Sequence, residues 1–401
     1  MGPLESTDAT AARLGARSAS GPSGAYGAPE QHGASGCSPR RLGARREPGQ
    51  PHGGEPVADR VYAALDLGTN NCRLLIARPA PGGGGGFRVI DSFSRIVRLG
   101  EGLSRTGRLG AAAIERTIDA LAICRGKIDA RGVTRARFIA TEACRAAENG
   151  AEFLERARAA TGLELEIVDR ETEAHLAAAG SASLADAAAA SVVLFDIGGG
   201  SSEIVWLGQA AGQGVGQNCG HAPPVDAALR ERVRFWASLK LGVVTLAEKF
   251  GGLEVSDATF EAMVEHVSEE LSDFVVMVGA ERRCRNFHLL GTSGTVTTIA
   301  GVFLGLSRYD RRRVDGLWMS SEDVSRAVTS LRKMTYDERA MNGCIGAGRA
   351  DLVLAGCAIL EAIRRAFPAE RVRIADRGLR EGMLMQLIQA DRHPARTMTG
   401  R

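Results

Sequence analysis

The strongest constraint on the fold of this chain is a motif that occurs twice. Asp66-Leu67-Gly68-Thr69-Asn70-Asn71 and Asp196-Ile197-Gly198-Gly199-Gly200-Ser201-Ser202-Glu203 each follow a short apolar run and are each followed by another. A strand that ends on Asp and turns through Gly and Ser or Thr into a second strand gathers backbone N–H groups and hydroxyls, the apparatus for holding a phosphate. Two such turns facing each other would clamp a phosphorylated ligand between two halves of the chain.

The rest of the sequence is ordinary enough to support two globular halves: 401 residues, 44% hydrophobic and 24% charged. A formal net charge of +3 is too small for a general affinity for nucleic acid or anionic membrane, so neither is expected as a partner. The eight cysteines, at 37, 72, 124, 144, 219, 284, 344 and 357, form no C-x-x-C pair and have no His at metal-ligand spacing, which fits a reducing cytoplasm. The longest apolar stretches, such as residues 352–360, are too short to cross a bilayer, and no secretory-type apolar core stands at the N-terminus.

Residues 1–59, rich in Gly, Ala, Pro, Ser and Arg, are expected to form a disordered tail. Strands are predicted at 62–65, 72–77 and 87–90 as an antiparallel meander, followed by a helix with Ile114, Ile118, Leu121 and Ile128 on one face. A strand at 137–140, a helix opening at Asn149 with Glu152 as its capping partner, a strand at 165–168 and a helix over 171–184 complete the unit. It begins again at 191–195 and 204–207, is interrupted by a polar insertion at 209–232, and resumes at 235–239. Phe260, Val264, Val267, Leu271, Phe274 and Val278 predict a long amphipathic helix. A strand at 287–290, helices near 322–331 and 347–364, a strand at 372–375 and a helix over 378–388 follow. The expected division is therefore a first α/β domain over 60–189, a second over 190–391 and a flexible C-terminus over 392–401.

One glycine turn alone is more often just a tight hairpin than a ligand site. Here the two turns are joined by a third small-residue turn, Gly291-Thr292-Ser293-Gly294-Thr295, at a strand-to-helix junction. Without Cβ atoms the backbone approaches a phosphate closely, while hydroxyls and N–H groups satisfy its oxygens.

The ordered series Asp-Leu-Gly-Thr-Asn, Ala-Thr-Glu-Ala-Cys-Arg, Glu-Thr-Glu-Ala, Asp-Ile-Gly-Gly-Gly-Ser-Ser-Glu, Gly-Thr-Ser-Gly-Thr and Gly-Leu-Arg-Glu-Gly resembles the exopolyphosphatase/guanosine pentaphosphate phosphohydrolase (Ppx/GppA) family over about residues 61–390. The resemblance implies two ribonuclease-H-like α/β domains of the actin-like, acetate-kinase ATPase superfamily, with the active site in the cleft between them. It implies a hydrolase releasing orthophosphate from inorganic polyphosphate or guanosine pentaphosphate, and so a link to the stringent response. The water-activating carboxylate falls on Glu173 and a second acidic position on Glu203. The phosphate cradle falls on Gly68, Thr69, Asn70, Asn71, Gly198, Gly199, Gly200, Ser201, Ser202, Gly291, Ser293, Gly294 and Thr295, with Arg145 as a bidentate phosphate partner. Asp66, Asp196 and Glu203 are the candidate ligands of Mg²⁺ or another divalent cation, since magnesium favours one or two carboxylates plus phosphate oxygens. The same aspartates also suit turn capping.

Several positions depart from the family pattern. Asn71 stands where a serine is usual, Glu173-Ala174-His175 replaces Glu-Ala-Arg, and Ala375-Asp376-Arg377-Gly378 replaces Ser-Asp-Gly-Ala. Arg308, Arg311, Arg312 and Arg313, with Arg282, Arg283 and Arg285, are weighed as a positive track for a polyanion against the commoner reading of a solvated charged face. The distance from the last helix to the end suggests the short, two-domain form, and the sequence leaves room for a homodimer. Two other readings compete: a sensor that binds polyphosphate or the alarmone without turnover, and a small-molecule kinase of the same superfamily.

Overall fold

The first strand, β1 (Tyr62–Leu67), is buried on both faces: Tyr62 and Ala64 point into one apolar cluster, Ala63, Leu65 and Leu67 into another. This two-residue alternation between two cores means that helices cover both sides of its sheet. The computed structural model describes residues 57, 59–81, 86–209, 225–283 and 286–392. The expected tail and C-terminus therefore lie almost wholly outside the described residues.

β1 is followed by β2 (Asn71–Pro79), β3 (Phe87–Ile96), β4 (Arg135–Ala140) and the two-residue β5 (Glu166–Ile167), giving a five-stranded sheet in the order β3-β2-β1-β4-β5. The first three strands are antiparallel neighbours, whereas β4 and β5 run parallel to β1. The second half repeats the plan with β6 (Ser191–Ile197), β7 (Ser202–Leu207), β8 (Val233–Leu239), β9 (Phe287–Thr292), β10 (Trp318–Ser320) and β11 (Arg371–Ile374), ordered β10-β11-β9-β6-β7-β8. Val193, Phe195 and Ile197 of β6 face the largest core, while Val192 and Leu194 face a smaller one. The chain is thus α/β with two ribonuclease-H-like sheets.

The large core is closed by the helix Asp257–Val278, which buries all six residues of the predicted stripe together with Met263. Ser256 caps it by accepting from the Thr259 amide. On the opposite faces the two halves exchange helices. Ala174, Ala178 and Ala179 of the helix Arg170–Ser181 pack under the second sheet, and Leu379, Met383, Leu384 and Ile388 of the helix Leu379–Arg392 pack under the first. The two helices touch at glycines: a Cβ on Gly180 would stand 1.9 Å from the Gly378 carbonyl oxygen.

Some local expectations are corrected. Asn149 precedes the helix Gly150–Thr161 without capping it through its side chain. That amide is instead engaged by Leu109, accepting from its N–H and donating to its carbonyl. The helix expected over 347–364 begins only at Val353, because Gly346 takes a left-handed φ of 73° and the chain turns before entering it. The expected insertion ends in a helix, Val225–Arg232, that leads directly into β8; residues 210–224 lie outside the described residues. Strand β10 has no three-residue sequence signal and exists by pairing with β11.

Candidate active site

The two glycine turns are built alike: the Gly68 N–H donates to the Asn71 carbonyl at 2.9 Å and the Gly198 N–H to the Ser201 carbonyl at 3.0 Å. They meet. A Cβ on Gly199 would lie 3.0 Å from Cβ of Thr69 and 3.1 Å from the Asn70 nitrogen, and one on Gly200 would lie 2.5 Å from Thr69 Oγ1. Glycine is required at these positions because two turns from different sheets approach within backbone contact.

The third turn is the start of the helix Ser293–Phe303, entered straight from β9. Ser293 sits at φ 82° and donates its hydroxyl to the Ile197 carbonyl, pinning the helix start to the end of β6. Thr292 provides no side-chain cap. The Ser293 hydroxyl accepts from the Gly294 amide at 2.6 Å, and the positive end of the helix dipole at this start favours an anion.

A pocket opens where these three turns converge. Asp66, Asn70, Asn71 and Arg73 line it from the first sheet, and Asp196, Gly198, Gly199 and Glu203 from the second. Ser293, Gly294, Thr295 and Thr298 form the helix-start wall; Glu173 and Arg349 also line the pocket, together with the apolar Ile197, Val243, Leu352, Val353 and Leu379. Of the residues expected at the site, Gly68, Thr69, Gly200, Ser201, Ser202, Gly291 and Arg145 are not on this wall. Thr69, Ser201 and Ser202 are buried in the contact behind it, and Gly291 lies in β9 against the ring of Phe195.

Two wall residues were missed by the sequence reading. Arg73 and Arg349 approach the same spot, their guanidinium nitrogens 3.4 Å and 3.6 Å from where a Cβ of Gly294 would be. Neither guanidinium makes a hydrogen bond or close ion pair among the described residues, although the charge of Arg73 acts on Asp66 and Asp196. Burial, and next the nearby charge of Arg73, push the Arg349 pKa down. The available signal for Arg73 was a lone charge inside an otherwise apolar strand directly after the first turn; for Arg349 it was an arginine in the glycine-bearing segment 346–351.

The acids are crowded. Burial pushes the Glu173 carboxyl up to about 7, with the charges of Asp66 and Asp196 adding to the rise and Arg145 opposing it. Asp196 is pushed up to about 6, again by burial first, and Asp66 is also raised by burial. Glu203 is raised well above the usual range by burial and by Glu173 and Asp196, although it accepts a hydrogen bond from Ser238 at 3.0 Å. Glu173 and Glu203 are buried and Asp66 and Asp196 half-buried around one pocket, and their mutual repulsion, which the charge of Arg73 offsets only in part, favours a positive ligand. Among the described residues no group of three or more His, Cys, Asp or Glu forms a metal cage. Asp66 and Asp196 both line the pocket, near enough that the charge of Asp66 helps raise Asp196.

Glu173 owes its place to the helix Arg170–Ser181, capped by Asp169, which accepts from the Thr172 amide at 2.7 Å. Arg145 donates to Glu173 at 3.1 Å, to Glu142 at 2.6 and 3.0 Å and to the Val168 carbonyl at 2.6 Å. Arg170 also donates to Glu142, at 2.9 Å. Arg145 thus reaches the pocket only through Glu173. A second chamber adjoins the first, sharing Arg73, Ser293, Gly294 and Arg349 and adding Tyr309, Arg311 and Arg380. Of the basic cluster weighed as a track, Arg311 lines this chamber, tied to Glu381 at 2.8 Å, whereas Arg308, Arg312 and Arg313 do not.

The guanosine-5'-triphosphate,3'-diphosphate pyrophosphatase of Aeromonas salmonicida is 29% identical over 332 residues, 82% of this chain and 59% of that protein. The chain therefore spans well under two thirds of that relative. Exopolyphosphatase 2 of Mycobacterium tuberculosis is 30% identical over 312 residues, 76% of this chain and 89% of the relative. A crystal structure of the Aquifex aeolicus Ppx/GppA family member superposes with a TM-score of 0.63 at 29% identity, covering 83% of this chain and 99% of that one. An exopolyphosphatase from Cytophaga hutchinsonii, 20% identical, shares the fold with a TM-score of 0.70 over 82% of this chain and 98% of that one. The family model for Ppx/GppA phosphatases matches residues 75–391, so the chain belongs to the Ppx/GppA phosphatase family.

Proposed function

We propose that the chain hydrolyses phosphoanhydrides, releasing orthophosphate from the end of inorganic polyphosphate or converting guanosine pentaphosphate to the tetraphosphate. The observation that carries this reading is the position of Glu173 on a pocket whose walls include both glycine turns, the start of the helix Ser293–Phe303 and the guanidinium groups of Arg73 and Arg349. The terminal phosphate is held by the Ser293–Thr295 helix start and the glycine turns, with Arg73 and Arg349 against its oxygens. The rest of the substrate runs past these arginines into the adjoining chamber toward Arg311 and Arg380.

In the reaction the oxygen of a water molecule forms a bond to the terminal phosphorus as the bond to the bridging oxygen breaks. The electron pair leaves with the shortened chain, and the water proton passes to Glu173. A carboxylate with its pKa near 7 is well matched to that task. Arg73 and the helix start meet the charge that spreads over the equatorial oxygens, while Arg349 grips substrate and transition state alike and so contributes to binding rather than to the chemical step. The donor set also fits magnesium. Asp66 and Asp196 are hard oxygen ligands whose proton affinity is raised by burial, and a bound Mg²⁺ would offset charge on the phosphate. Glu203 stands beside them as a further acid, held by Ser238. We also place the reaction in the cytoplasm, the reducing compartment that the five free, buried cysteines among the described residues fit.

The test is orthophosphate release from tripolyphosphate, long-chain polyphosphate and guanosine pentaphosphate, with Mg²⁺ or a chelator. Release that is lost in Glu173→Gln supports the reading. Tight binding without release favours a sensor, and phosphate transfer to an alcohol or carboxylate favours a kinase.

A further inference from the structure

Arg98 is one of two non-glycine residues among those described with a left-handed backbone, at φ 48°. Such a conformation is unfavourable for a residue with a Cβ and persists where surrounding contacts enforce it. Here the contacts are visible on both sides. The amides of Val97 and Arg98 donate to the Asn70 carbonyl at 2.9 and 3.1 Å, and that of Gly100 to the Thr69 carbonyl at 2.9 Å, so this segment braces the first glycine turn.

From that brace the Arg98 side chain crosses to the other half of the molecule. Its two Nη atoms donate to the two carboxylate oxygens of Asp351 at 2.9 and 2.8 Å, and Nη2 also donates to the Gly348 carbonyl at 3.2 Å. Gly348 and Asp351 bracket Arg349. A bidentate fork fixes direction as well as distance, and Arg349, which faces the like charge of Arg73 without a partner of its own, needs such a restraint. A second strut runs beside it: Glu248 accepts from the Gly102 amide at 2.7 Å and from the Ser104 hydroxyl. Glu248 lies in the helix Val243–Phe250, whose first two amides donate to the Gly198 and Gly199 carbonyls of the second glycine turn.

We propose that Arg98 is a positioning residue: its fork to Asp351 and Gly348 sets where Arg349 stands opposite Arg73, so that the contact across the cleft and the grip on the polyanion are coupled. This rests on the assignment of the pocket to a phosphate chain. Because Arg98 acts through Arg349, its loss weakens substrate binding while leaving Glu173 and the chemical step in place.

The experiment compares wild type, Arg98→Gly, Arg98→Lys, Arg349→Ala and the double variant Arg98→Gly/Arg349→Ala. Glycine accepts the left-handed backbone, so Arg98→Gly removes the fork and relieves the conformation, which keeps the protein folded. Its KM for tripolyphosphate, and its dissociation constant for the non-hydrolysable imidotriphosphate measured by calorimetry, are expected to rise roughly tenfold with kcat within about twofold of wild type. Lysine recovers part of the loss as a single-point ion pair. In the Arg349→Ala background the same Arg98→Gly change is expected to alter binding by less than about twofold, because coupled residues are not additive. Equal effects in both backgrounds, or unchanged binding in Arg98→Gly, would overturn the role. A wild type that binds imidotriphosphate without releasing orthophosphate sinks the hydrolase reading instead, and the binding arm still decides the coupling.

Discussion

Arg73 and Glu203 occupy the same place in the two repeated hairpins. Arg73 pairs across β1–β2 with Asp66, and Glu203 pairs across β6–β7 with Asp196. In both hairpins the strand-ending aspartate and its partner present side chains on the same face, and all four residues line the pocket. One hairpin therefore offers a cation beside its aspartate and the other a second acid. The repeated fold has been differentiated at this register position into a phosphate-facing side and an acid side.

The acid side sets the pH dependence of turnover. With the Glu173 carboxyl pushed up to about 7, the form able to take a proton from water becomes dominant only as pH rises through neutrality. The logarithm of kcat is expected to climb with pH up to about 7 and then level. Glu173→Gln should lower kcat by about 10²- to 10⁴-fold with binding of imidotriphosphate retained. A flat profile between pH 5 and 8 in wild type would remove Glu173 as the acceptor.

The same crowding has a cost in stability. A carboxyl whose folded pKa lies above its unfolded value stabilises the protein below the unfolded pKa, and that contribution is lost as pH rises through the folded one. For Glu173 this window runs from its ordinary value of 4.5 to about 7. At pH 8, where wild type carries the buried charge, Glu173→Gln is expected to be more stable by on the order of 1 to 3 kcal/mol. The gain should vanish near pH 4.5, and denaturant unfolding at the two pH values checks it.

Arg145 was expected to contact phosphate, and the structure places it against Glu173 and Glu142. Its charge holds the Glu173 pKa down. Arg145→Met should therefore shift the rising limb of the pH–rate profile upward by about one unit or more with little change in KM. A raised KM with an unmoved profile would restore the phosphate role.

The exchanged helices offer no room at their crossing. A Cβ on Gly180 would lie 1.9 Å from the Gly378 carbonyl oxygen and 2.9 Å from the Gly382 nitrogen, backbone atoms that cannot swing aside. Gly180→Ala is expected to cost about 1 to 3 kcal/mol, or to prevent folding, whereas alanine at Gly126, a helical glycine with nothing near its absent Cβ, should be neutral or mildly stabilising. Thermal unfolding of the two variants gives the comparison.

Magnesium should be needed through the aspartate pair. Asp66→Asn and Asp196→Asn are each expected to raise the Mg²⁺ concentration for half-maximal orthophosphate release by roughly tenfold or more. Activity insensitive to chelator would exclude that assignment.

Much of the site was legible because its parts are local. Glycine must stand where turns approach within backbone contact, so Gly198, Gly199 and Gly200 announce the turn from the sequence. Glu173 was placed by the family resemblance alone, since on spacing it reads as an ordinary acid in the first turn of a helix, whereas the stripe from Phe260 to Val278 follows from helical periodicity. Arg73 and Arg349 carry no such local mark. They lie 276 positions apart, and they become neighbours only when β2 and the turn before the Val353–Ala366 helix are brought to the start of the Ser293–Phe303 helix.

The sequence by itself determined the doubled strand–turn–strand plan and the two-sheet α/β class, because alternation and glycine placement act over a few residues, while the acids of the pocket were indicated by the family resemblance. Tertiary structure alone decided which helix covers which sheet, that Arg145 serves Glu173, and that Arg98 reaches Asp351. Those outcomes depend on charge pairing and burial between segments far apart in the chain, where an arginine's partner is whichever carboxylate the packing leaves within about 3 Å.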